Sequence, residues 1–211
     1  MKNALVWGAS GAIGQAVLSK LNAEGWKTAG IVRDSLDTPQ IADFMFETKF
    51  ENPGDIEETA YLVSQEISDI NFWCYAAGDI SSEKVSEMAP MDWQRIITAN
   101  LNGAFYAIHY FLPLLSEPAH IFFIGAMSER LRLPGLSAYA ASKAGLEAFA
   151  EALGKEERKK RITVVRPGAV ATPFWDKVPL RLPKDAASAE KVAERIYEAY
   201  LAEHKGQLDL T

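Results

Sequence analysis

The sequence has little of several features that mark common protein classes. Its 211 residues include one cysteine, Cys74, so an intramolecular disulfide is excluded. Cys74 lies in the apolar run 72–75, where a buried small side chain is the default interpretation. Lysine and arginine total 22 against 28 aspartates and glutamates, which gives a formal net charge of -6. Binders of nucleic acid or anionic membranes need a basic surface to hold phosphates, so both classes are disfavoured.

Long hydrophobic runs are also missing. No apolar stretch reaches the roughly 20 residues that a membrane-spanning helix needs. The N-terminus lacks the basic start, apolar segment and cleavage site of a signal peptide. The sequence shows no internal repeat or low-complexity tract, and we predict no metal site. We therefore expect a soluble, cytoplasmic protein.

Apolar strands alternate with helix-length amphipathic segments along the chain, and 48% of the residues are hydrophobic. Strands are predicted at 3–7, 28–32, 43–48, 71–75, 119–124, 162–166 and 207–210. Helices are predicted near 12–24, 55–68, 91–112, 137–157 and 188–203. This alternation is typical of an α/β domain whose parallel sheet, here of about seven strands, is covered by helices on both faces. One domain over 1–211 suffices for a chain of this length.

A glycine-rich turn, Gly8-Ala-Ser-Gly11-Ala-Ile-Gly14, separates the first predicted strand from the first predicted helix. The backbone N–H groups of such a turn and the N-terminus of the helix can hold a pyrophosphate. Gly8 suits a tight turn, and Gly14 lets helix and strand pack closely. A turn chosen only for its backbone freedom is the alternative. Three glycines at this spacing favour phosphate binding.

Tyr139 and Lys143 are four residues apart in the predicted helix 137–157, so they share one helix face. A lysine ammonium near the tyrosine phenol would favour the ionised phenol. The pair would then supply a general acid and base from a side chain that otherwise titrates near pH ~10. By itself this spacing is a weak signal, because a partly exposed helix face gives it by chance.

These two motifs and the later run Pro167-Gly168-Ala-Val-Ala-Thr172-Pro173 together resemble the short-chain dehydrogenase/reductase family. The resemblance covers nearly the whole chain, with the motifs in the family's order. It is to the classical, single-domain type, because only about forty residues follow the Pro-Gly motif. It implies a Rossmann-like, doubly wound parallel sheet with helices on both faces. It also implies an NADP(H)-dependent oxidoreductase that transfers hydride between nicotinamide and a small carbonyl or alcohol substrate.

The resemblance implies catalytic roles for several residues. Tyr139 would exchange a proton with the substrate oxygen, while Lys143 would lower its pKa and hold the nicotinamide ribose hydroxyls. Asn100 would hold a water between its backbone and the lysine, with Asn102 as the alternate candidate; a structural residue in a helix kink is the other interpretation. The proline-interrupted segment 173–187 resembles the family's mobile substrate lid, against the alternative of a flexible surface loop.

The resemblance also implies a set of cofactor-binding residues. They are Gly8, Ser10, Gly11, Ala12, Ile13 and Gly14 in the glycine turn, Ala76, Ala77 and Gly78 after the fourth strand, Tyr139 and Lys143, and Pro167, Gly168, Val170 and Thr172 on the nicotinamide side.

Arg33 decides the predicted choice of cofactor. It follows Val32, which stands where NAD-dependent relatives carry an acidic residue. An arginine at the end of this strand accommodates the 2′-phosphate of NADP. NADP is therefore predicted over NAD. Two alternatives stay open: a register shift of two would put Asp34 at the ribose, and Arg33 could pair with a surface acid.

The largest departure from the family is Ala126, which stands thirteen residues before Tyr139, where the resemblance places a catalytic serine. Ser128 could enter the site instead, Tyr139 could activate the substrate alone, or the protein could bind NADP without fast turnover. The last outcome defines an alternative function, an NADP-binding sensor or interaction protein. Tyr75 and Ala76, which replace two family asparagines, also support that alternative.

The resemblance further implies a homodimer or homotetramer that pairs through the helices at 91–112 and 137–157. A stripe of small side chains on the second helix would permit close packing, or it could face its own sheet. The stripe is Ala141, Ala144, Ala148 and Ala152.

Overall fold

The computed structural model describes residues 1–34, 38–50 and 52–210, without the side chain of Ser128. Within these residues seven parallel strands form one sheet in the order β3-β2-β1-β4-β5-β6-β7. The strands are β1 Asn3–Trp7, β2 Lys27–Val32, β3 Phe44–Glu47, β4 Ile70–Tyr75, β5 Leu115–Ile124, β6 Arg161–Pro167 and β7 Gly206–Leu210. The predicted fold class, a doubly wound α/β sheet, is confirmed.

The helices follow the predicted pattern with one difference. They are α1 Ala12–Ala23, α2 Pro53–Glu66, α3 Pro90–Ile97, α4 Gly103–Phe111, α5 Ser137–Glu156 and α6 Ala189–Leu201. The helix predicted at 91–112 is helical almost throughout, but a wide π-helical turn, Thr98–Asn102, divides it into α3 and α4, and this turn was not predicted. Inside this turn the Asn100 side-chain amide donates to the Ile96 carbonyl at 2.9 Å, and such a side-chain insertion widens a helix.

Alternate strand residues face opposite layers of helices, as the period of two requires. In β4, Trp73 and Tyr75 join the core cluster that includes side chains of α2, α4 and α5. Phe72 and Cys74 join the cluster that includes side chains of α1 and α6. All four are buried, and burial raises the pKa of the Cys74 thiol well above its ordinary value. Cys74 is therefore a core side chain.

The strand order reverses at β1, which pairs with β2 on one side and with β4 on the other. The carboxyl ends of β1 and β4 meet at this point, where open α/β sheets form a ligand crevice. The amide of Gly8 donates to the Ile31 carbonyl at 3.0 Å, and the amide of Ala76 donates to the Trp7 carbonyl at 3.0 Å. The segments that follow the two strands therefore lie side by side.

Crossing a bilayer demands a helix that is both long and apolar. Among the described residues, no helix combines these two properties.

Candidate active site

The glycine turn is tightly packed. Gly8 has a φ of 74°, and a Cβ added there would lie 2.6 Å from the Ala77 amide nitrogen. A Cβ on Gly14 would lie 2.2 Å from the Gly8 carbonyl oxygen. Both obstacles are backbone atoms that cannot rotate away. The turn therefore requires glycine at these two positions to bring α1 against the ends of β1 and β4.

Helix α1 begins directly at this turn. Its N-cap is Gly11, no side chain caps the helix, and its first turn contains no acidic residue. The first amide groups of a helix have no partner within it, and they carry the positive end of the helix dipole. Ser10, Gly11, Ala12 and Ile13 line the neighbouring cleft. This arrangement fits the pyrophosphate of a dinucleotide.

The cleft has a volume of about 740 Å³ and opens at the carboxyl end of the sheet. It brings together most of the residues predicted from the sequence. The predicted residues in its lining are Ser10, Gly11, Ala12, Ile13, Ala76, Ala77, Gly78, Tyr139, Lys143, Pro167, Gly168, Val170 and Thr172.

Of the predicted site residues whose side chains the structure describes, four lie outside this lining. Gly8 and Gly14 shape the turn beneath it. Arg33 is exposed, just after the end of β2. Asn100 is fully buried behind Gly78. A Cβ added to Gly78 would lie 2.7 Å from the Asn100 Oδ1 atom and 3.7 Å from the Lys143 Nζ atom. Asn100 is thus next to the lysine without facing the cleft.

Tyr139 and Lys143 lie in the first two turns of α5, and both are buried. The Lys143 ammonium donates to the Ile124 carbonyl at 2.8 Å, and its Nζ atom lies 5.7 Å from the Tyr139 ring centroid. Burial lowers the pKa of Lys143 to about 8, against an opposing contribution from the Glu147 carboxylate. The shared helix face places both groups at one end of the cleft.

The expectation that Lys143 lowers the pKa of Tyr139 stays a prediction, and burial acts on this pKa in the opposite direction. Burial raises the pKa of the Tyr139 phenol above its ordinary value, because the phenolate would lose its hydration. The Lys143 ammonium donates its hydrogen bond to the Ile124 carbonyl at the end of β5 and not to the Tyr139 phenol. Burial therefore favours the protonated phenol over the phenolate.

Asn100 makes two hydrogen bonds through its side-chain amide. Besides the bond to Ile96 within the wide turn, Nδ2 donates to the Asp79 carbonyl at 2.6 Å. Both bonds support the structural interpretation of this residue at a helix kink. The predicted water between its backbone and Lys143 stays a prediction. Asn102, the alternate candidate, is half-buried at the end of the turn.

The end of β5 shows what replaces the expected serine. Ala126 is 7% exposed and lines the cleft, so a methyl group stands at that point. Ser128 begins the short turn Ser128–Leu131, and its side chain lies outside the part of the chain that the structure describes. Met127, Arg130 and Leu131 of the same segment also line the cleft.

The segment 173–187 covers the cleft next to the tyrosine. It begins with the short turn Pro173–Lys177, as expected for the proline-interrupted sequence. The Phe174 and Tyr139 ring centroids are 5.8 Å apart, and Trp175 Nε1 donates to the Val170 carbonyl at 2.9 Å. The segment is therefore docked on residues predicted to bind cofactor and substrate.

A charged group beside the segment 173–187 was missed by the sequence interpretation. Asp79 directly follows Gly78 and is 7% exposed, and its carboxylate pairs with Arg95 and with Lys177. Its position next to the small-residue motif was the available signal. The cations, however, are 16 and 98 residues away along the chain, so only the fold reveals them as its partners.

The alanine stripe on α5 has a clear orientation. Its four members, Ala141, Ala144, Ala148 and Ala152, are all exposed. The sheet-facing positions of the helix are Leu146, Ala150 and Leu153 instead. The alternative that the stripe faces its own sheet is therefore wrong.

Comparisons with known proteins agree with this geometry. A family model described as short chain dehydrogenase matches residues 2–182, so the chain belongs to the short-chain dehydrogenase family. That family consists of oxidoreductases that use a nicotinamide cofactor, NAD or NADP.

Two curated relatives illustrate the sequence likeness. The 3-oxoacyl-(acyl-carrier-protein) reductase FabG of Escherichia coli (strain K12) is 29% identical over 181 residues, which is 81% of this chain and 74% of that protein. An uncharacterised oxidoreductase of Staphylococcus aureus (strain MW2) is 25% identical over 182 residues, 81% of this chain and 79% of that protein.

Solved structures extend the likeness in fold to the whole chain. The aldohexose dehydrogenase of Thermoplasma acidophilum superposes with a TM-score of 0.87 at 23% identity, covering 99% of this chain and 92% of the other. A short-chain dehydrogenase/reductase of Serratia marcescens gives a TM-score of 0.88 at 18% identity, with 99% and 96% covered. At these identities the likeness shows the fold alone.

Proposed function

We propose that this protein is an NADP(H)-dependent oxidoreductase that transfers hydride between nicotinamide and a small carbonyl or alcohol substrate. One observation carries the proposal. Tyr139 and Lys143 line the same cleft as the uncapped N-terminus of α1, so a proton donor and an anion-binding turn face one space. The family relation favours this function over the sensor role.

The cleft residues divide into binding roles. The amides of Ala12 and Ile13 would hold the pyrophosphate, while the Gly11 amide donates to the Gly8 carbonyl within the turn. The small residues Ala76 and Ala77 would let the adenosine half approach the sheet. On the other side, the backbone of 167–170 would contact the nicotinamide carboxamide, with Thr172 near the pyrophosphate. When bound, the reduced cofactor supplies a hydride to the carbonyl carbon of the substrate.

Tyr139 supplies the proton that balances this transfer. Its buried phenol stays protonated at neutral pH and can donate from Oη to the substrate oxygen, which becomes a hydroxyl group. Lys143 is poised to return the proton, because burial brings its pKa down to about 8. We place Asn100 beside this pair as part of the route to solvent, and we keep Ser128 as the second hydroxyl donor in the absence of one at Ala126.

The proposed preference for NADP depends on Arg33. Its exposed guanidinium at the end of β2 is available for a 2′-phosphate. Arg33→Ala should raise the KM for NADPH roughly tenfold, the effect of one lost charge-assisted contact, and leave the KM for NADH unchanged. Arg158→Ala, an exposed site beyond the far end of α5, is the matched control. Equal effects on both cofactors would contradict the assignment.

We also propose that two or four copies assemble through the helices predicted at 91–112 and 137–157, which are α3, α4 and α5 in the structure. The exposed alanine stripe allows close approach of a second helix, and the exposed side chain of Phe105 on α4 adds apolar surface. Sedimentation of the purified chain tests this assembly directly. The cytoplasmic location stays a prediction.

The proposed activity is tested by NADPH oxidation with a panel of aldehydes, ketones and quinones, together with calorimetry of NADPH binding. We expect turnover on at least one class of carbonyl compound. Tyr139→Phe should lower kcat by roughly 100-fold or more while NADPH still binds, because the variant loses only the proton donor. Tight NADPH binding without turnover of any compound would favour the sensor role. A Tyr139→Phe enzyme that keeps most of its rate would overturn the role of Tyr139.

A further inference from the structure

The part of the cleft beyond Tyr139 is lined by apolar side chains from two segments. The segment after β5 contributes Leu131, Leu133 and Leu136. The segment 173–187 contributes Phe174, Val178 and Leu180, beside Trp175 and two prolines.

Two of these leucines are exposed although they line the cleft. The exposed fraction is 47% for Leu133 and 41% for Leu180. Large apolar side chains that are exposed within one cleft mark a surface that a ligand covers. A ligand with an apolar body would remove both from water, and the free energy gained grows with the apolar area that it covers.

The charged residues of the lining also favour an apolar ligand. Among the described residues that line the cleft, none is an aspartate or glutamate, and the cations are Arg130 and Lys143. A sugar would bring several hydroxyl groups, and each one that is buried without a hydrogen-bond partner costs free energy. A cationic substrate would meet two positive side chains and no carboxylate.

We propose that the substrate is a carbonyl compound, or the matching alcohol, with an extended apolar body and no positive charge, and that Leu133 and Leu180 bind this body. The inference rests on the proposed function and narrows it. It separates this chain from a sugar dehydrogenase, a role that the shared fold alone leaves open.

The test compares substrates of equal length in the NADPH-dependent assay. Propanal is paired with glyceraldehyde, and hexanal with an open-chain aldohexose analogue. We expect kcat/KM to rise roughly tenfold or more from propanal to hexanal, and each apolar member to exceed its hydroxylated partner. A preference for the hydroxylated members, or no dependence on chain length, would overturn the substrate class.

Variants locate the effect. Leu133→Ser and Leu180→Ser should each reduce the ratio of kcat/KM for hexanal to that for propanal by roughly threefold to tenfold, because apolar contact is lost only for the longer substrate. Leu201→Ser is the matched control, since this leucine is 61% exposed at the end of α6 and is not part of the described lining. Loss of rate that is equal for both aldehydes would contradict the assigned role of the two leucines.

A binding measurement keeps the two proposals apart. If no carbonyl compound is turned over, the proposed function fails, and calorimetry with hexanol and a hexitol in the presence of NADP then tests the apolar site alone. Binding of hexanol that the two serine variants weaken would support the site. Preferential binding of the hexitol, or no binding of either alcohol, would overturn it.

Discussion

The Nζ atom of Lys177 lies 2.7 Å from Oδ1 of Asp79, and this ion pair joins the lid segment to the residue that follows Gly78. Asp79 also pairs with Arg95 on α3, and its backbone carbonyl accepts the bond from Asn100. A buried carboxylate is thus held by cations from two different elements. The ion pair therefore links the segment 173–187 to the residues after β4, where the cofactor is proposed to lie.

Lys177→Met should therefore loosen the segment 173–187. Because 53% of the Lys177 side chain is exposed, the pair is worth about 1 kcal/mol after solvent screening. We expect amide hydrogen exchange across 173–187 to become roughly fivefold faster, measured by mass spectrometry of peptides from this segment. Lys184→Met is the control, since Lys184 is exposed in the same segment and forms no ion pair with the described residues. Equal exchange in both variants would contradict a tie through Asp79.

Ala126→Ser should restore a hydrogen-bond donor at the end of β5. Ala126 lines the cleft, so a hydroxyl there would reach the space next to Tyr139. A donor aimed at the developing charge on the substrate oxygen can be worth roughly 100-fold in rate, and we expect a higher kcat on simple ketones. Ala126→Cys has nearly the same shape with a weaker donor and should give a smaller gain. An unchanged or lower rate for the serine variant would show that the lack of a hydroxyl group at position 126 does not limit catalysis.

Lys143→Met should stabilise the fold at neutral pH while it abolishes function. The pKa of Lys143 is about 8 in the folded chain and 10.5 in the ordinary case, so the native state penalises the charged form. Below pH 8 the full cost of burying the charged amine applies, roughly 3 kcal/mol of folding stability. The gain from Lys143→Met is this amount minus the contribution of the hydrogen bond to Ile124, which the variant loses. Between pH 8 and 10.5 the unfolded chain binds more protons than the native one, so the stability of the unmodified protein rises with pH there.

The measurement is urea unfolding of both proteins at pH 7 and at pH 9.5. The advantage of Lys143→Met should be largest at pH 7 and should shrink at pH 9.5. Lys155→Met serves as control, because Lys155 is on the same helix with 75% of its side chain exposed. An advantage that stays constant with pH would mean that charge burial is not its cause.

Gly14→Ala should disrupt the glycine turn. The added Cβ would lie 2.2 Å from the Gly8 carbonyl oxygen. Because this oxygen is a backbone atom, the turn itself must shift. We expect a loss of about 3 kcal/mol or more in the free energy of unfolding, with loss of NADPH binding. Gly154→Ala in α5 is the control. Its Cβ would meet the Ile162 side chain at 3.8 Å, an ordinary contact, so a gain of about 0.5–1 kcal/mol is expected by chemical denaturation.

The element pattern was predictable where local signals are strong. Strand β1 was predicted with the bounds that the structure shows, because its apolar run ends at the first glycine. Strand β5 begins at Leu115 and not at 119, because the polar stretch before 119 hides the pairing of Leu115 with Ile70. The wide turn at Thr98–Asn102 also escaped prediction, since it depends on where one asparagine side chain bonds. Such features arise from contacts that the local pattern does not contain.

The sequence by itself determined the order of the motifs, the alternation of strands and helices, and the glycine turn, because each depends on neighbours within a few residues. Only the tertiary structure decided the electrostatic state of the site. Whether the Tyr139 phenol is easily ionised depends on how much water surrounds it, and burial by distant segments raises its pKa. The bond between Asp79 and Lys177 spans 98 residues. Desolvation and long-range pairing are properties of the packed chain, so they follow from its three-dimensional arrangement.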